Sequence, residues 1–268
     1  MRILSERADW EVFGTIRNES AKRFFSASIN ARLIDGVDVE DSDKLVKVLN
    51  QTRPNVVVNC AGLIKHRSDS EDPLVSIPLN TLMPHRLARL CQLFGARVIH
   101  ISTDCVFSGI KGSYTEADLP DARDVYGQSK ALGEVMYANA ITLRTSIIGH
   151  ELQGNQSLLD WFLSQNGSCK GFTRAIFSGL PTVIFSQIVR DVVISHSELT
   201  GLYHVAAQPI NKFDLLKLIA DVYGKSINIV PDDNLVIDRS LNATRFYSAT
   251  GYIAPEWSEL VKLMHSYK

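Results

Sequence analysis

Three side chains of types that can transfer a proton to a carbonyl occur close together in the sequence. Tyr126 and Lys130 are four residues apart at the start of a helix-like segment, so on a helix they share one face. The ammonium favours the phenolate and therefore lowers the pKa of the tyrosine. Thr103 directly follows an apolar run in a Ser-Thr-Asp turn, where its hydroxyl could hold a carbonyl oxygen. This combination indicates reduction of a ketone, although the Thr103 hydroxyl could instead cap a loop.

The elements that would position these residues alternate between strands and helices. Apolar runs rich in β-branched residues predict strands over residues 10–16, 31–37, 54–60, 96–102, 140–144 and 201–207. Helical patterns cover residues 41–53, 73–94, 156–165, 186–195, 211–223 and 256–267. Residues 166–182 are rich in Gly and Ser and predict a loop region over a site. This order predicts an α/β fold with a doubly wound parallel sheet.

The front of the chain lacks one expected feature. A dinucleotide-binding fold normally begins with a strand, a glycine-rich turn and a helix whose N-terminus holds a pyrophosphate. The first glycine here is Gly14, and no Gly-x-Gly-x-x-Gly pattern occurs. Either the fold is a different one, or the chain starts at an internal methionine and lacks the first strand of a Rossmann-like fold. The regularity of the remaining pattern favours the second interpretation.

We predict two domains on this basis. A dinucleotide-binding domain, incomplete at its N-terminus, would cover residues 1–148. A smaller C-terminal substrate-binding cap would cover residues 149–268, with some of its strands returning to the first domain.

Composition excludes several classes of protein. The 268 residues include 28 basic and 29 acidic side chains, and a net charge of −1 gives no bulk attraction to nucleic acid or an anionic membrane. No apolar run is long enough to span a bilayer, and no signal peptide is recognisable. The four cysteines show no Cys-x-x-Cys spacing, so neither disulfides nor a metal site is indicated, and a cytoplasmic location is expected.

Several motifs occur in a specific order along nearly the whole chain. They are Asn59-Cys60-Ala61-Gly62; Asn80; Ser102-Thr103-Asp104-Cys105-Val106-Phe107-x-Gly109; Tyr114-x-Glu116; Val125-Tyr126-Gly127-x-Ser129-Lys130-x-x-Gly133-Glu134; Arg144-Thr145-Ser146; and Gly201-x-Tyr203-His204. With this ordered set the chain resembles the extended short-chain dehydrogenase/reductases, and within them the dTDP-4-dehydrorhamnose reductase family. Tyr-x-x-x-Lys alone would not be specific.

The resemblance implies reduction, by NADPH or NADH, of the C4 ketone of a nucleotide-linked 4-keto-6-deoxysugar in surface-polysaccharide precursor synthesis. It implies that Tyr126 donates the proton, that Lys130 lowers its pKa and holds the nicotinamide ribose, and that Thr103 binds the reacting oxygen. Asp104 would contact the sugar or its nucleotide. Ile147 stands where relatives often carry a tryptophan near the sugar, which leaves the identity of that sugar open.

The remaining expected cofactor contacts also follow from the resemblance. They are Asp38 and Val39 beside the adenine, and Gly62, Leu63 and Ile64 in a turn along the cofactor. Arg17 follows a predicted strand where an acidic residue would favour NAD; an arginine there suits a 2′-phosphate, so NADPH is preferred. Arg17 could also be a plain surface residue.

Two other functions stay open at this point. One is a non-catalytic nucleotide-binding or regulatory member of the family, and the other is a nucleotide-sugar epimerase or dehydratase. The expected partner is a nucleotide-sugar substrate, without nucleic acid or membrane, and the assembly considered is a homodimer.

Overall fold

Strands and helices alternate along the chain in the computed structural model, which describes residues 1–65 and 69–267. The α-helices are α1 (Ala27–Asn30), α2 (Ser42–Thr52), α3 (Pro73–Ser76), α4 (Met83–Leu93), α5 (Val125–Leu132), α6 (Leu158–Ser164), α7 (Thr182–Ile188), α8 (Lys212–Tyr223), α9 (Thr244–Thr250) and α10 (Trp257–Ser266). The strands are β1 (Gly14–Thr15), β2 (Leu33–Ile34), β3 (Val56–Asn59), β4 (Arg97–Thr103), β5 (Ala140–Thr145), β6 (Ile147–Ile148), β7 (Ser168–Phe172), β8 (Ala175–Phe177), β9 (Leu180–Pro181), β10 (Gly201–His204), β11 (Ile210–Asn211), β12 (Asn228–Asp232) and β13 (Ile237–Asp238). Short 3₁₀ helices cover Leu4–Glu6, Glu19–Phe24 and Asp104–Val106, and π-helical turns cover Ile77–Leu82 and Val189–Val193.

A four-stranded parallel sheet in the order β10-β5-β4-β3 forms the centre of the fold. β3 and β4 are paired in register from Val56 opposite Arg97 to Asn59 opposite His100. Every residue of β5 is buried, including the polar Thr142, Arg144 and Thr145, as expected for a strand of a parallel sheet covered on both faces. The predicted α/β class with a central parallel sheet is therefore confirmed.

The front of the chain contributes less to the sheet than predicted. The predicted strands over 10–16 and 31–37 are reduced to β1 and β2, which pair with each other in parallel as a separate two-stranded sheet. Within the described residues, the four-stranded sheet ends at β3. A strand with only one short partner forms few ladder hydrogen bonds, so most of both apolar runs stays irregular.

The predicted loop region over residues 166–182 is wrong, because this segment contains β7, β8 and β9. β7 pairs in parallel with β12, from Ser168 opposite Asn228 to Phe172 opposite Asp232. Gly171 is required by this packing, since a side chain there would place its first carbon 2.8 Å from both Ile229 and Phe213. A glycine that looks like a loop signal here permits the close approach of neighbouring elements.

The long helix predicted over residues 73–94 exists and contains a π-helical turn. Asp72 accepts a hydrogen bond from the Leu74 N–H and so caps α3, whose first residue is Pro73. The π turn separates α3 from α4 and carries the buried Asn80. Such turns often occur at functional sites, and this one faces α5.

Contacts divide the chain into two compact units. Unit 1 comprises Met1–Ser102, Asp124–Thr142 and Val193–Leu202, and unit 2 comprises Thr103–Arg123, Leu143–Val192 and Tyr203–Lys268. The division predicted from the sequence, into residues 1–148 and 149–268, stays a prediction. None of the helices in residues 1–65 and 69–267 is both long enough and apolar enough to cross a membrane.

Each unit has its own apolar core. In unit 1 the apolar faces of α2 and α4 pack with strand residues, and the buried set includes Leu45, Leu49, Met83, Leu87 and Val98. In unit 2, α10 packs on α7 and α8. Burial of each such large side chain contributes about 1.5–3 kcal/mol, so these helices are held by packing rather than by intrinsic propensity.

Candidate active site

A capped turn at the start of α5 positions Tyr126. One carboxylate oxygen of Asp124 accepts a hydrogen bond from the Gly127 N–H at 2.7 Å, and the other accepts from Lys65 Nζ at 2.6 Å. Glu71 accepts from the first main-chain N–H of α5 at 3.2 Å. The loop that follows β3 is thereby attached to the turn that presents the tyrosine.

Tyr126 and Lys130 both lie on α5, the helix that their spacing predicted, and both are buried. Lys130 Nζ donates a hydrogen bond to the Ile101 carbonyl oxygen at 3.0 Å. Burial lowers the pKa of Lys130 to about 8, although the Glu134 carboxylate acts in the opposite direction. The ammonium is therefore held in one place and loses its proton far more readily than an exposed lysine would.

Asn80 attaches the loop after β3 to the same helix. Its side-chain oxygen accepts from the Leu63 N–H at 2.9 Å, and its amide nitrogen donates to Ser129 Oγ at 3.2 Å. A side chain at Gly62 would place its first carbon 3.1 Å from Asn80 Oδ1 and 3.7 Å from Lys130 Nζ. The glycine thus leaves room beside the ammonium, which suits a ligand that lies against main chain.

A buried polar pair lies behind this group in unit 1. His100 has no exposed area, and its Nδ1 is 3.0 Å from Asn59 Nδ2. Burial and then the charge of Lys130 lower the pKa of His100 well below its ordinary value. His100 is therefore neutral.

The expected adenine-side residues form an exposed ion pair. Arg17 Nη2 is 3.3 Å from Asp38 Oδ2, and the Arg17 side chain is 74% exposed. Exposed pairs of this kind contribute at most about 1 kcal/mol, so the guanidinium can exchange its partner for another anion. Val39 packs against the core of unit 1, and Ile64 is exposed. The cofactor contacts assigned to these residues stay predictions.

Thr103 and Asp104 lie in unit 2 at the end of β4. The Thr103 hydroxyl oxygen accepts from the Cys105 N–H at 3.1 Å, and its proton is directed to Asp104 Oδ1 at 3.1 Å. The hydroxyl therefore caps the short 3₁₀ turn, which the sequence analysis gave as the alternative to holding a carbonyl oxygen. The contact of Thr103 with a substrate stays a prediction. Burial raises the pKa of the Asp104 carboxyl, against the opposing effect of the Thr103 hydrogen bond. Ile147, in β6, is 56% exposed and lies opposite Leu180 of β9.

A buried cluster in unit 2 holds the segment that follows Asp104. The rings of Phe107 and Tyr114 stack with centroids 4.0 Å apart. His204 Nδ1 donates to the Tyr114 carbonyl oxygen at 3.0 Å, while His204 Nε2 accepts from Arg144 Nη1 at 3.2 Å. Burial, followed by the Arg144 charge, lowers the pKa of His204 to about 3, which keeps this tautomer neutral. The sequence identified these residues as parts of motifs, but it did not indicate that they pack and hydrogen-bond with one another.

Other contacting residues were missed by the sequence reasoning. Asp124 carries a detectable signal, because an Asp three residues before Gly127 at a helix start is typical of an N-cap. Lys65 and Glu71, which bond the same turn, carry none, since their partners lie far away in sequence.

Comparison with known proteins gives consistent matches. The family described as RmlD substrate binding domain matches residues 4–234. The dTDP-4-dehydrorhamnose reductase of Aggregatibacter actinomycetemcomitans is 25% identical over 256 residues, which cover 86% of this chain and 87% of that protein. Methionine adenosyltransferase 2 subunit beta of Rattus norvegicus is 33% identical over 98 residues, or 37% of this chain and 29% of that protein.

A solved structure matches over nearly the full length. The crystal structure of dTDP-4-dehydrorhamnose reductase from Bacillus anthracis, in complex with NADP, has a TM-score of 0.78 to this chain. The match covers 96% of this chain and 98% of that chain at 18% identity, so it shows a shared fold.

Proposed function

The chain belongs to the RmlD substrate binding domain family, and from this premise we propose that it is an NAD(P)H-dependent reductase. Its substrate would be the C4 ketone of a nucleotide-linked 4-keto-6-deoxysugar in surface-polysaccharide precursor synthesis. The observation that carries the proposal is the pair of buried residues on α5, in which the Lys130 ammonium is fixed by the Ile101 carbonyl oxygen.

The chain's own residues would handle the proton. Tyr126 would donate its phenolic proton to the ketone oxygen, and the Lys130 ammonium would stabilise the phenolate that is left. Thr103 would donate a hydrogen bond to the same oxygen as negative charge develops on it. Proton donation by a positioned side chain accelerates such reactions by about 10²–10⁴-fold. Asp104 would contact the sugar or its nucleotide, and Ile147 would border the sugar.

NADPH or NADH would supply the hydride when bound. The residues that would hold it are Arg17, Asp38, Val39, Gly62, Leu63, Ile64, Tyr126 and Lys130. The absence of a side chain at Gly62, beside the Lys130 ammonium, supports a contact between that ammonium and a ribose hydroxyl. Arg17, exposed and paired with Asp38, suits a 2′-phosphate that would take the place of the carboxylate. NADPH is therefore the preferred cofactor.

The role of Tyr126 is tested by Tyr126→Phe in the purified chain. Oxidation of NADPH by a dTDP-4-keto-6-deoxysugar should slow by at least about a hundredfold, because the proton donor is lost. The variant should still bind NADPH, since it keeps the aromatic ring and the other residues that would hold the cofactor. Tyr247→Phe is the matched control, since this tyrosine is half exposed at 49% and should behave as the wild type. A Tyr126→Phe protein with wild-type kcat would show that the assignment is wrong.

The preference for NADPH is tested by Arg17→Ser. Loss of an arginine from a phosphate should raise KM for NADPH about tenfold and leave KM for NADH unchanged. An equal effect on both cofactors would contradict a contact with the 2′-phosphate.

A non-catalytic subunit is the second candidate function. The observation that favours it is the 33% identity to methionine adenosyltransferase 2 subunit beta over 98 residues. It predicts nucleotide binding without turnover of any 4-ketosugar. The third candidate, an epimerase or dehydratase, regenerates its cofactor in each cycle, so net consumption of NADPH would exclude it.

We extend the proposal to location and assembly. A reaction that consumes NADPH and a nucleotide sugar would take place in the cytoplasm, and the enzyme would act as a homodimer. Light scattering on the purified chain measures the assembly directly, and a monomeric mass at assay concentration would contradict the dimer.

A further inference from the structure

The Lys130 ammonium is held in the protein interior by a group that carries no charge. The residue is 6% exposed, and its Nζ donates to the Ile101 carbonyl oxygen at 3.0 Å. A main-chain oxygen satisfies one donor of the ammonium but does not compensate its positive charge. A buried charge is costly unless an opposite charge lies near it, so the surroundings must supply a negative group if Lys130 is to stay protonated.

The titratable groups around Lys130 come from three elements of unit 1. Tyr126 and Glu134 lie on the same segment as the lysine, Cys60 follows β3, and His100 lies in β4. Desolvation raises the pKa of the Cys60 thiol, and burial lowers the pKa of His100, so both groups are neutral at neutral pH. The Tyr126 phenol is neutral before it gives up its proton. Glu134 is therefore the group in this set that provides a negative charge.

The main chain around Glu134 is fixed on both sides. Its N–H donates to the Ala131 carbonyl oxygen at 3.3 Å, which continues the helical turn past the end of α5. The next residue, Val135, donates its N–H to Thr142 Oγ1 at 3.0 Å, and the same hydroxyl donates back to the Val135 carbonyl oxygen at 2.8 Å. Val135 and Thr142 have no exposed area. The Glu134 side chain therefore starts from a fixed position about one turn beyond Lys130.

A hydrogen bond from β4 directs the Glu134 carboxylate. Ser102 Oγ donates to Glu134 Oε1 at 2.8 Å, and Ser102 is buried. Ser102 directly follows Ile101, whose carbonyl oxygen accepts from Lys130. The carboxylate and the ammonium are thus bound to two consecutive residues of one strand. In agreement with this arrangement, burial lowers the pKa of Lys130 and the Glu134 charge acts in the opposite direction.

We propose that Glu134 is a positioning residue for the proton transfer, because its carboxylate, held by Ser102, supplies the counter-charge that keeps the Lys130 ammonium beside Tyr126. Glu134 acts through the lysine and needs no contact with the substrate or the cofactor. The inference rests on the proposed function, in which this ammonium stabilises the Tyr126 phenolate. It predicts that loss of the charge at position 134 changes the pH range of activity rather than activity at every pH.

The pH profile of kcat for Glu134→Gln in the full chain tests the proposal. Glutamine keeps an oxygen that can accept from Ser102 and removes the charge. The alkaline decline of kcat, expected at about 8 for the wild type, should move about one pH unit lower, because Lys130 loses its proton more easily. At about pH 9 kcat should then be about tenfold below the wild-type value, while at about pH 6, where Lys130 is protonated in both proteins, it should stay close to that value.

Three further variants separate the charge from the structure. Glu134→Asp keeps a carboxylate, so its alkaline decline should lie at higher pH than that of Glu134→Gln. Ser102→Ala leaves the charge and removes the donor that holds it, so its shift should have the same direction and a smaller size. Glu259→Gln is the matched control, because it makes the same chemical change at an exposed position of α10, and its profile should match that of the wild type.

NMR titration of the lysine side chains follows Lys130 without turnover, and Lys130→Arg assigns its signal. The midpoint for Lys130 should fall by about one pH unit in Glu134→Gln. An unmoved midpoint would overturn the proposal, and so would a loss of kcat by one factor at all pH values, which a merely structural residue would cause. A midpoint that falls in a chain unable to oxidise NADPH with a 4-ketosugar would refute the reductase and leave the effect of Glu134 on Lys130 intact.

Discussion

Lys130 donates a hydrogen bond to the Ile101 carbonyl oxygen across 3.0 Å, which joins α5 to the strand that it packs on. The carbonyl keeps the ammonium in position without neutralising it. Since burial brings the pKa of Lys130 to about 8, the charge beside Tyr126 depends on pH in a range that an assay can reach.

Activity should therefore decline above a pH of about 8, as Lys130 loses its proton. The pH profile of kcat for the wild type checks this expectation. Lys130→Arg keeps a positive charge throughout the range, so its profile should lack this limb even if its kcat is lower. A profile of Lys130→Arg that falls over the same range as that of the wild type would assign the limb to another group.

The same lysine should affect stability with a defined sign. Its pKa is about 8 in the folded chain against 10.5 as the ordinary value, so between these values the unfolded chain binds more protons. The free energy of unfolding should then rise with pH across this window. Urea denaturation at several pH values should show a smaller rise for Lys130→Met.

Asp124→Ala should destabilise the protein through the first turn of α5. Loss of an N-cap that accepts from the Gly127 N–H costs about 1 kcal/mol, and kcat should fall because Tyr126 lies in this turn. Asp124→Asn is the matched control, because asparagine is an equally good cap but cannot form the ion pair with Lys65. Unfolding curves of both variants check this, and equal destabilisation by Asn and Ala would mean that the ion pair, rather than the cap, is the larger contribution.

Gly133→Ala should be strongly destabilising for a steric reason. A side chain there would place its first carbon 1.9 Å from the Asn80 carbonyl oxygen, where α5 meets the π turn. The backbone must move, and overpacking of this kind costs about 1–3 kcal/mol. Leu132→Ala, at a neighbouring side chain that is 65% exposed, should change stability little. Thermal unfolding that ranks the two variants in the opposite order would contradict the packing seen at Gly133.

His204 should make the protein sensitive to acid. Burial holds its pKa at about 3 against 6.5 as the ordinary value, so the unfolded chain takes up a proton first as pH falls. Stability should be complete above about 6.5 and should decrease from there towards 3. His204→Gln should show a shallower decrease in the free energy of unfolding, and the buried His100 accounts for part of the slope that is left. An unchanged slope would show that His204 is protonated in the folded chain.

Local patterns were sufficient for the parts of the fold whose partners are close in sequence. The helix that carries Tyr126 and Lys130, the long helix after Asp72 and the apolar strands of the central sheet were all predicted. Periodicity and capping act within a few residues, so the sequence shows them directly. Asp124 was detectable on the same grounds but was missed.

Other features could not be predicted because they depend on pairing between distant segments. β7 was mistaken for a loop, since the glycine that allows Ile229 and Phe213 to approach it looks like a turn signal. Pairing with β12 makes residues 168–172 a strand, and no local pattern in the sequence encodes that pairing.

By itself the sequence determined the α/β class and the residue types able to transfer a proton to a ketone, because motif spacing on a helix fixes which side chains share a face. Only the tertiary structure decided how those groups are supported. Burial sets the pKa of Lys130, Lys65 in the loop after β3 reaches Asp124 at the start of α5, and pairing with β12 makes β7 a strand. Electrostatic environment and strand register arise from long-range packing, so they exist only once the chain has folded.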